Sequence, residues 1–252
     1  MLRPILLAKV NTDRIEPLAI TPIGLVHSPY GQKFAVPRQP GLAPHAEAVI
    51  EFFSPYDDEK AFYGLQGFSH IHLIFLFDLA PYDHFKATVR PPRLGGNTRR
   101  GVFATRSPFR PSRLGLSVVR LLNIEVKDQK VRLRIGGADL VDGTPVVDIK
   151  PYIPFVDAVP EAQGGFAVEP PRLKAVTIPP KIEAVLKDEL GDRRLLAIAE
   201  TLAQDPRPAY KGDGDNKLYF ARLYNYDIGF KSGVEEITVE KIVKLGEADD
   251  SI

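Results

Sequence analysis

Apolar residues fall in short, turn-punctuated runs over the first 156 positions and at helical spacing only beyond them. Residues 18–27 (LAITPIGLVH) are β-branched and apolar, broken by Pro22 and Gly24, and predict a first strand with a bulge. Residues 46–53 (AEAVIEFF) alternate and predict a second. A turn and a short helical piece follow, up to His70. Residues 71–79 (IHLIFLFDL) are almost continuously apolar, the pattern of a central buried strand. GVFATR (101–106) predicts a short strand. RLGLSVVRLLNIEV (113–126) and KVRLRIGG (130–137) predict a hairpin through VKDQK, with Val131, Leu133 and Ile135 alternating cleanly. DLVDGTPVVDIKPYIPF (139–155) predicts a turn at Asp142-Gly143 and a strand over VVDI. Many short strands with little helix predict a barrel or a sandwich.

After residue 156, AVPEAQGGFAVEPPR has the composition of a linker. Two helices are then predicted. Ile182, Val185, Leu186 and Leu190 form one apolar stripe; Leu195, Leu196, Ala199 and Leu202 form another. Pro179 and Pro180 suit a helix start and Gly191 a stop. KLYFARLYNYDIGF and VEEITVEKIVKL predict a hairpin through Lys231-Ser232-Gly233. This second unit reads as a small α+β domain.

Charge sharpens the picture. Between His84 and Ile124 there are nine Lys and Arg and no Asp or Glu, whereas the whole chain carries a net charge of only +1. Eight of the nine are Arg, whose planar fork suits phosphates and stacks on bases. Pro and Gly break the segment into shaped loops, the usual carriers of binding. The plain alternative is pairing of these arginines with acidic residues elsewhere in the fold. A second loop, 28–44, is rich in Pro and Gly, carries Lys33, Arg38 and Gln39, and is expected to extend the basic surface.

Other chemistries are thinner. With no Cys, the chain has neither disulfides nor thiolate metal ligands, which suits a reducing compartment. The longest apolar runs are far too short to span a membrane. The opening residues lack the features of a signal peptide, and the expected location is cytoplasmic. His70 and His72, two apart in a strand-like run, are expected to face opposite sides and so to share no metal. GxGxxG, P-loop, HExxH and GxSxG spacings are absent. Asp139, Asp142 and Asp148 make a turn-borne acidic set suited to an amine and thin for a hard cation. These residues favour a nucleic-acid partner and do not define a reaction.

The segments KFAVPRQPG (33–41), GFSHIHLIFLF (67–77), TVRPPRLGGNTRRGVFATRSPFRPSRLGLS (88–117), DLVDGTPVVDIKPYIPF (139–155) and QDPRPAY (204–210) together resemble the TsaA/TrmO (YaeB-like) family of tRNA methyltransferases. The resemblance runs over about residues 18–228. It implies an S-adenosylmethionine-dependent enzyme that methylates N6 of threonylcarbamoyladenosine, next to the anticodon of threonine tRNA. It implies a β-barrel unrelated to Rossmann methyltransferases, expected at residues 18–156, and a small C-terminal domain at 170–246. It also implies a homodimer with the cofactor near the subunit interface. Cofactor contacts carried over are Pro37, Arg38, Gln39, Asp78, Leu79, Arg106, Leu116 and the turn Asp139, Leu140, Val141, Asp142, Gly143, Thr144 and Pro145. Asp78-Leu79 departs from the His-Gln type pair common in relatives, and Ser112-Arg113 replaces their usual Asn-Pro. Candidate RNA contacts are Arg90, Arg93, Arg99, Arg100, Arg110 and Arg113. Candidate catalytic residues are Asp205, Arg207 and Tyr210; His70 or the substrate's own carboxylate are further candidate bases, and Arg207 is a candidate grip for that carboxylate or a phosphate. A non-catalytic RNA-binding module and a small-molecule methyltransferase on the same barrel are the competing readings.

Overall fold

The computed structural model describes residues 19–81, 84–212, 215 and 217–246; residues 1–17, expected to form an extra strand or a loose arm, lie outside them. Eight strands come first: β1 (Gly24–His27), β2 (Glu47–Phe52), β3 (His70–Leu76), β4 (Thr88–Val89), β5 (Arg100–Gly101), β6 (Leu114–Lys127), β7 (Lys130–Gly136) and β8 (Thr144–Pro151). Six close an antiparallel barrel in the order β1–β2–β7–β6–β3–β8, with β8 pairing back onto β1. Closure leaves these strands without a free edge. Alternate side chains fill the interior, among them Ile50, Ile71, Leu73, Leu133 and Ile135. Space inside is tight. A Cβ on Gly115 would lie 2.3 Å from the Phe75 ring, so only glycine lets that ring sit across β6.

Several expectations change here. The apolar run of β3 is buried on one face only; His72, Ile74 and Leu76 face outward and are half-buried. A two-residue step along a strand returns to the same face, so His70 and His72 do not diverge. Both rings lie against Tyr152, at 6.3 and 5.4 Å between centroids. Of the predicted GVFATR strand, only Gly101 pairs, together with Arg100, in the small β4–β5 ribbon. The chain then tightens into a 3-10 turn at Val102–Ala104, where Val102 donates to the Ala87 carbonyl and accepts from the Thr105 amide.

A short helix α1 (Pro154–Asp157) leads out of the barrel, and an exposed connection reaches β9 (Ala175–Thr177). The second unit adds α2 (Pro180–Leu190), α3 (Asp192–Ala203), β10 (Tyr219–Leu223), β11 (Tyr226–Ser232) and β12 (Glu236–Lys244). Its sheet runs β10–β11–β12–β9, with β9 parallel to β12. KLYFARLYNYDIGF is itself a hairpin, turning at Tyr224-Asn225, where Tyr224 adopts φ +55°. The β11–β12 hairpin is the one predicted. The helices bury faces slightly rotated from the predicted stripes: Val185 and Leu196 are exposed, while Ala197, Ile198 and Thr201 turn inward.

The loop 28–46 joins the two units. It leaves the barrel after β1, yet Tyr30, Ala35, Ala43 and Ala46 are buried in the second core with Leu186, Ile198 and Phe230. The ring of Phe34 stacks on Tyr219 and Phe230, each at 6.4 Å. Tyr224 donates its amide to the Pro29 carbonyl at 2.7 Å, and the His45 amide donates to Glu200 at 3.0 Å. An apolar wedge of this kind removes water from both partners and fixes one domain against the other. Replacing Tyr30 by Ala is expected to cost roughly 3–5 kcal/mol. Calorimetry should then resolve two unfolding transitions where the parent shows one.

Candidate active site

Where the wedge emerges, a cleft of about 430 Å³ opens between three segments distant in sequence. The loop contributes Lys33, Pro37 and Arg38; the basic segment contributes Arg90, Pro92 and Gly96; the C-terminal unit contributes Gln204, Arg207 and Tyr210. Its size is that of a small-molecule site, typically ~300–1,000 Å³. Among the described residues no carboxylate lines it, while four cationic side chains do. Arg38 donates from Nη2 to the Arg207 carbonyl at 3.1 Å, which aims its guanidinium across the cleft. Burial lowers the Arg38 pKa and the nearby Asp205 charge partly restores it.

Asp205 and Arg207 do a different job from the one expected. Arg207 is 4% exposed. Its Nε and Nη2 hold the two oxygens of Asp205 at 2.8 and 2.7 Å, and Nη1 reaches Asp215 at 3.2 Å. Asp205 also takes Lys174 at 2.9 Å and the Ser232 hydroxyl at 3.0 Å. Burial alone would push the Asp205 carboxyl up; the hydrogen bonds from Arg207 and Lys174, and then their charges, outweigh it and hold it well below the usual carboxylate range. A carboxylate so held is a poor proton acceptor, and a guanidinium so occupied does not grip a ligand. This buried network fixes the backbone of QDPRPAY, and with it the carbonyl that orients Arg38. Tyr210, by contrast, stands exposed on the rim.

Most of the remaining predicted cofactor residues gather at one end of the barrel. Arg106 donates to the Gln39 side chain at 2.5 Å. Asp139 accepts from the buried Ser117 hydroxyl at 2.6 Å. Burial pushes the Asp139 carboxyl up to about 6, against the Ser117 bond, a backbone bond and the charge of Arg106. The turn 139–145 is clamped to the end of β1: Asp142 Oδ1 accepts from the Ser28 amide at 3.0 Å, and Gly143 donates to Val26 at 2.8 Å with φ +79°. Leu140 is buried and its carbonyl takes the Ser28 hydroxyl at 2.7 Å, while the Val141 carbonyl takes the Thr144 hydroxyl at the same distance. Pro145 pairs with Leu25. Leu79 is exposed beside Asp78, with its carbonyl bonded to Lys33. Leu116 differs: it points out of the barrel wall, opposite Ile74, and is 58% exposed.

The basic segment keeps its charge. Among the described residues none of its eight arginines forms an ion pair, which counts against the plain alternative that they pair with acids of the fold. They do differ in what they reach. Arg93 is spent on the carbonyls of Phe166 and Glu169, and Arg110 on those of Val102 and Thr105 at 3.2 and 2.7 Å. These two shape the segment and are weaker candidates for RNA than expected. Arg90, Arg99, Arg100 and Arg113 remain exposed. Gln204, Ser117 and Lys174 escaped the sequence reading. Gln204 adjoins Asp205 in QDPRPAY, but nothing in the spacing of Ser117 or Lys174 marks a partner far along the chain.

A β-barrel with a loop-built cleft and a tethered α+β unit is the architecture of a known enzyme class. Residues 25–158 match the family described as the tRNA-methyltransferase O N-terminal domain, and residues 171–245 match the TrmO C-terminal domain. The chain belongs to the tRNA-methyltransferase O family. It is 44% identical over 225 residues to the tRNA (adenine(37)-N6)-methyltransferase of Escherichia coli, covering 86% of this chain and 96% of that one. It is 45% identical to a putative S-adenosylmethionine-dependent methyltransferase of Pseudomonas aeruginosa, over 83% of this chain and 90% of that one. The crystal structure of TrmO from Pseudomonas aeruginosa superposes with a TM-score of 0.75 at 35% identity, covering 90% of this chain and 99% of that one.

The raised Asp139 carboxyl has a consequence for stability. The folded chain binds its proton more tightly than the unfolded chain, so this group's contribution is favourable below the unfolded pKa near 4 and is lost as pH rises towards 6. Asn at this position keeps the acceptor for Ser117 and removes the charge. Asp139→Asn is therefore expected to raise the Tm of the ligand-free protein by several degrees at pH 7–8, with the gain disappearing near pH 4; thermal melts across that range check it.

Proposed function

We propose that this chain is an S-adenosylmethionine-dependent tRNA methyltransferase acting on N6 of the adenine for which its Escherichia coli relative is named, and that this adenine carries a threonylcarbamoyl group. Membership of the family across both units supports the reaction. The observation that carries the finer substrate is the cleft itself, which among the described residues presents Lys33, Arg38 and Arg90 and no acid. A threonylcarbamoyl group brings a carboxylate to N6, and Arg38, aimed but not ion-paired by hydrogen bonds, is suited to receive it.

The residues at the barrel end fit S-adenosylmethionine. Asp139, part-buried and held by Ser117, suits the amino group; Gln39 and Arg106 suit carboxylate and hydroxyl groups; the exposed Leu79 offers apolar surface to the adenine. When bound, S-adenosylmethionine supplies a methyl group on a sulfonium. The chain's part is to bring donor and acceptor into line and to exclude water, which is worth several powers of ten in rate. Pro37-Arg38-Gln39 spans the two places, with Arg38 in the cleft and Gln39 at the barrel end. The N6 of a ureido group must lose its proton as it attacks. Asp205 is locked in its ion pairs and His70 lies on the outer barrel wall, so the base is Tyr210 on the rim or the substrate's own carboxylate.

The exposed arginines hold the anticodon stem-loop by its phosphates. A second copy covers the outer wall that carries Leu116 and, on α1, the 89% exposed Phe155; this homodimer would bring Leu116 to the cofactor of its partner.

Arg38→Ala should lower kcat/KM roughly 30-fold, the equivalent of ~2 kcal/mol, on tRNA bearing the threonylcarbamoyl group. An unchanged kcat/KM on that tRNA would contradict the assigned role of Arg38. Changing Arg99 and Arg100 to Glu should abolish tRNA binding in filter assays while calorimetry still shows cofactor binding. Wild-type affinity should fall steeply as salt rises. Phe155→Glu should shift the protein to a monomer in sedimentation, and an unshifted mass would remove the outer wall from the interface.

A further inference from the structure

The Arg38 cleft leaves one feature of the basic segment unused. Phe103 is 70% exposed, at the tip of the turn after β5, on a backbone that is held from several sides. Val102, beside it, is buried, and its carbonyl accepts from the Thr105 amide at 3.2 Å, the Thr105 hydroxyl at 2.8 Å and Arg110 at 3.2 Å. Its ring stacks loosely on Phe85, centroids 6.2 Å apart and planes 27° apart, and the Arg110 guanidinium lies 5.7 Å from its centroid. Phe85 is itself half exposed. Single apolar residues on a surface need no explanation. An aromatic pair with an arginine against it, on a rigid turn among arginines without ion pairs, is a different object. Next to it the β4–β5 ribbon borders a second cleft of about 560 Å³, lined by Thr88, Arg90, Arg99 and Phe109 among others.

We propose that Phe103 is a stacking platform for an unpaired base of the substrate RNA, with Arg90 and Arg99 taking the adjoining phosphates. This rests on the tRNA reading above and names a subsite within it. Three features of the site carry it. The residue is largely exposed. The turn is ordered before binding, so little entropy is lost when a base lands. Arg110, fixed on two carbonyls, supports the ring and cannot swing away to a phosphate without breaking both bonds. The charge around the ring selects a polyanion over an apolar protein partner. Stacking of this kind tolerates any base and adds to affinity without adding a phosphate contact.

The chain has no Trp, so Phe103→Trp introduces a single indole at the platform. On titration with an anticodon stem-loop its fluorescence should be quenched, whereas a blunt RNA duplex of equal charge should leave it unchanged. Phe103→Ala should bind tRNA roughly tenfold more weakly with the same dependence on salt, and Phe103→Leu, which keeps the apolar bulk, should share most of that loss. An unquenched indole together with wild-type affinity in Phe103→Ala overturns the platform. So does a change in sedimented mass in Phe103→Ala, which would assign the ring to an interface between copies. Failure of the wild-type protein to bind tRNA at all would overturn the functional reading and the platform with it; tRNA binding without the ring effects overturns the platform alone.

Discussion

The structure depends on one insertion: the loop that leaves the barrel after β1 and buries Tyr30, Ala35, Ala43 and Ala46 in the core of the other unit. Everything at the cleft follows from it. The same loop carries Pro37-Arg38-Gln39, so the hydrophobic contacts that join the units also place Arg38 against QDPRPAY and Gln39 against Arg106. A loop free in solvent would have to be ordered at each binding event. Here its ordering is part of folding, and the site is preorganised at no further entropic cost.

Electrostatics divides the molecule in a second way. The acidic residues of the C-terminal unit that approach the cleft are neutralised internally: Asp205 by Arg207 and Lys174, and Asp215 by Arg207 and Tyr219. Among the described residues the arginines of the basic segment are left without such partners and are held by carbonyls or neutral side chains where they are held at all. An anionic substrate therefore meets a wall of one sign, with the nearest carboxylates already committed. At the barrel end the sign reverses at one point, where the carboxyl of Asp139 is held by Ser117 and feels the charge of Arg106, with no ion pair among the described residues. The two ends of the site thus suit the two partners of a methyl transfer, an anionic acceptor and a cationic donor.

The barrel was legible because each strand declares itself locally. Val131, Leu133 and Ile135 alternate, and Asp142-Gly143 turns the chain where the sequence says it should. The tight turn at Val102–Ala104 was not legible. GVFAT has strand-like composition, and the bonds that curl it, from Val102 to Ala87 and from Thr105 and Arg110 onto the Val102 carbonyl, are not announced by that composition. The helix faces are turned only slightly from the predicted stripes, with Leu186 and Leu202 buried as expected and Val185 and Leu196 left outside, because the contact with the sheet, and not the stripe alone, sets the rotation. The functional segments could be located from charge and from family resemblance. Their division of labour could not, because it resides in pairs such as Arg207–Asp205–Lys174 and Arg93–Glu169 whose members are far apart in sequence or have no pattern to announce them. Charge made Arg93 and Arg110 resemble ligand contacts, and family resemblance did so for Arg207; their hydrogen bonds make them struts.

The central claim is that this preorganised cleft delivers a methyl group to N6 of a threonylcarbamoyl-bearing adenine. The most direct measurement is incubation with labelled S-adenosylmethionine and tRNA from a strain lacking the family's enzyme, followed by nucleoside mass spectrometry. The account predicts label in N6-methyl-threonylcarbamoyladenosine and none when the same tRNA lacks the threonylcarbamoyl group. Label in any other nucleoside, or equal label in both tRNAs, would contradict it.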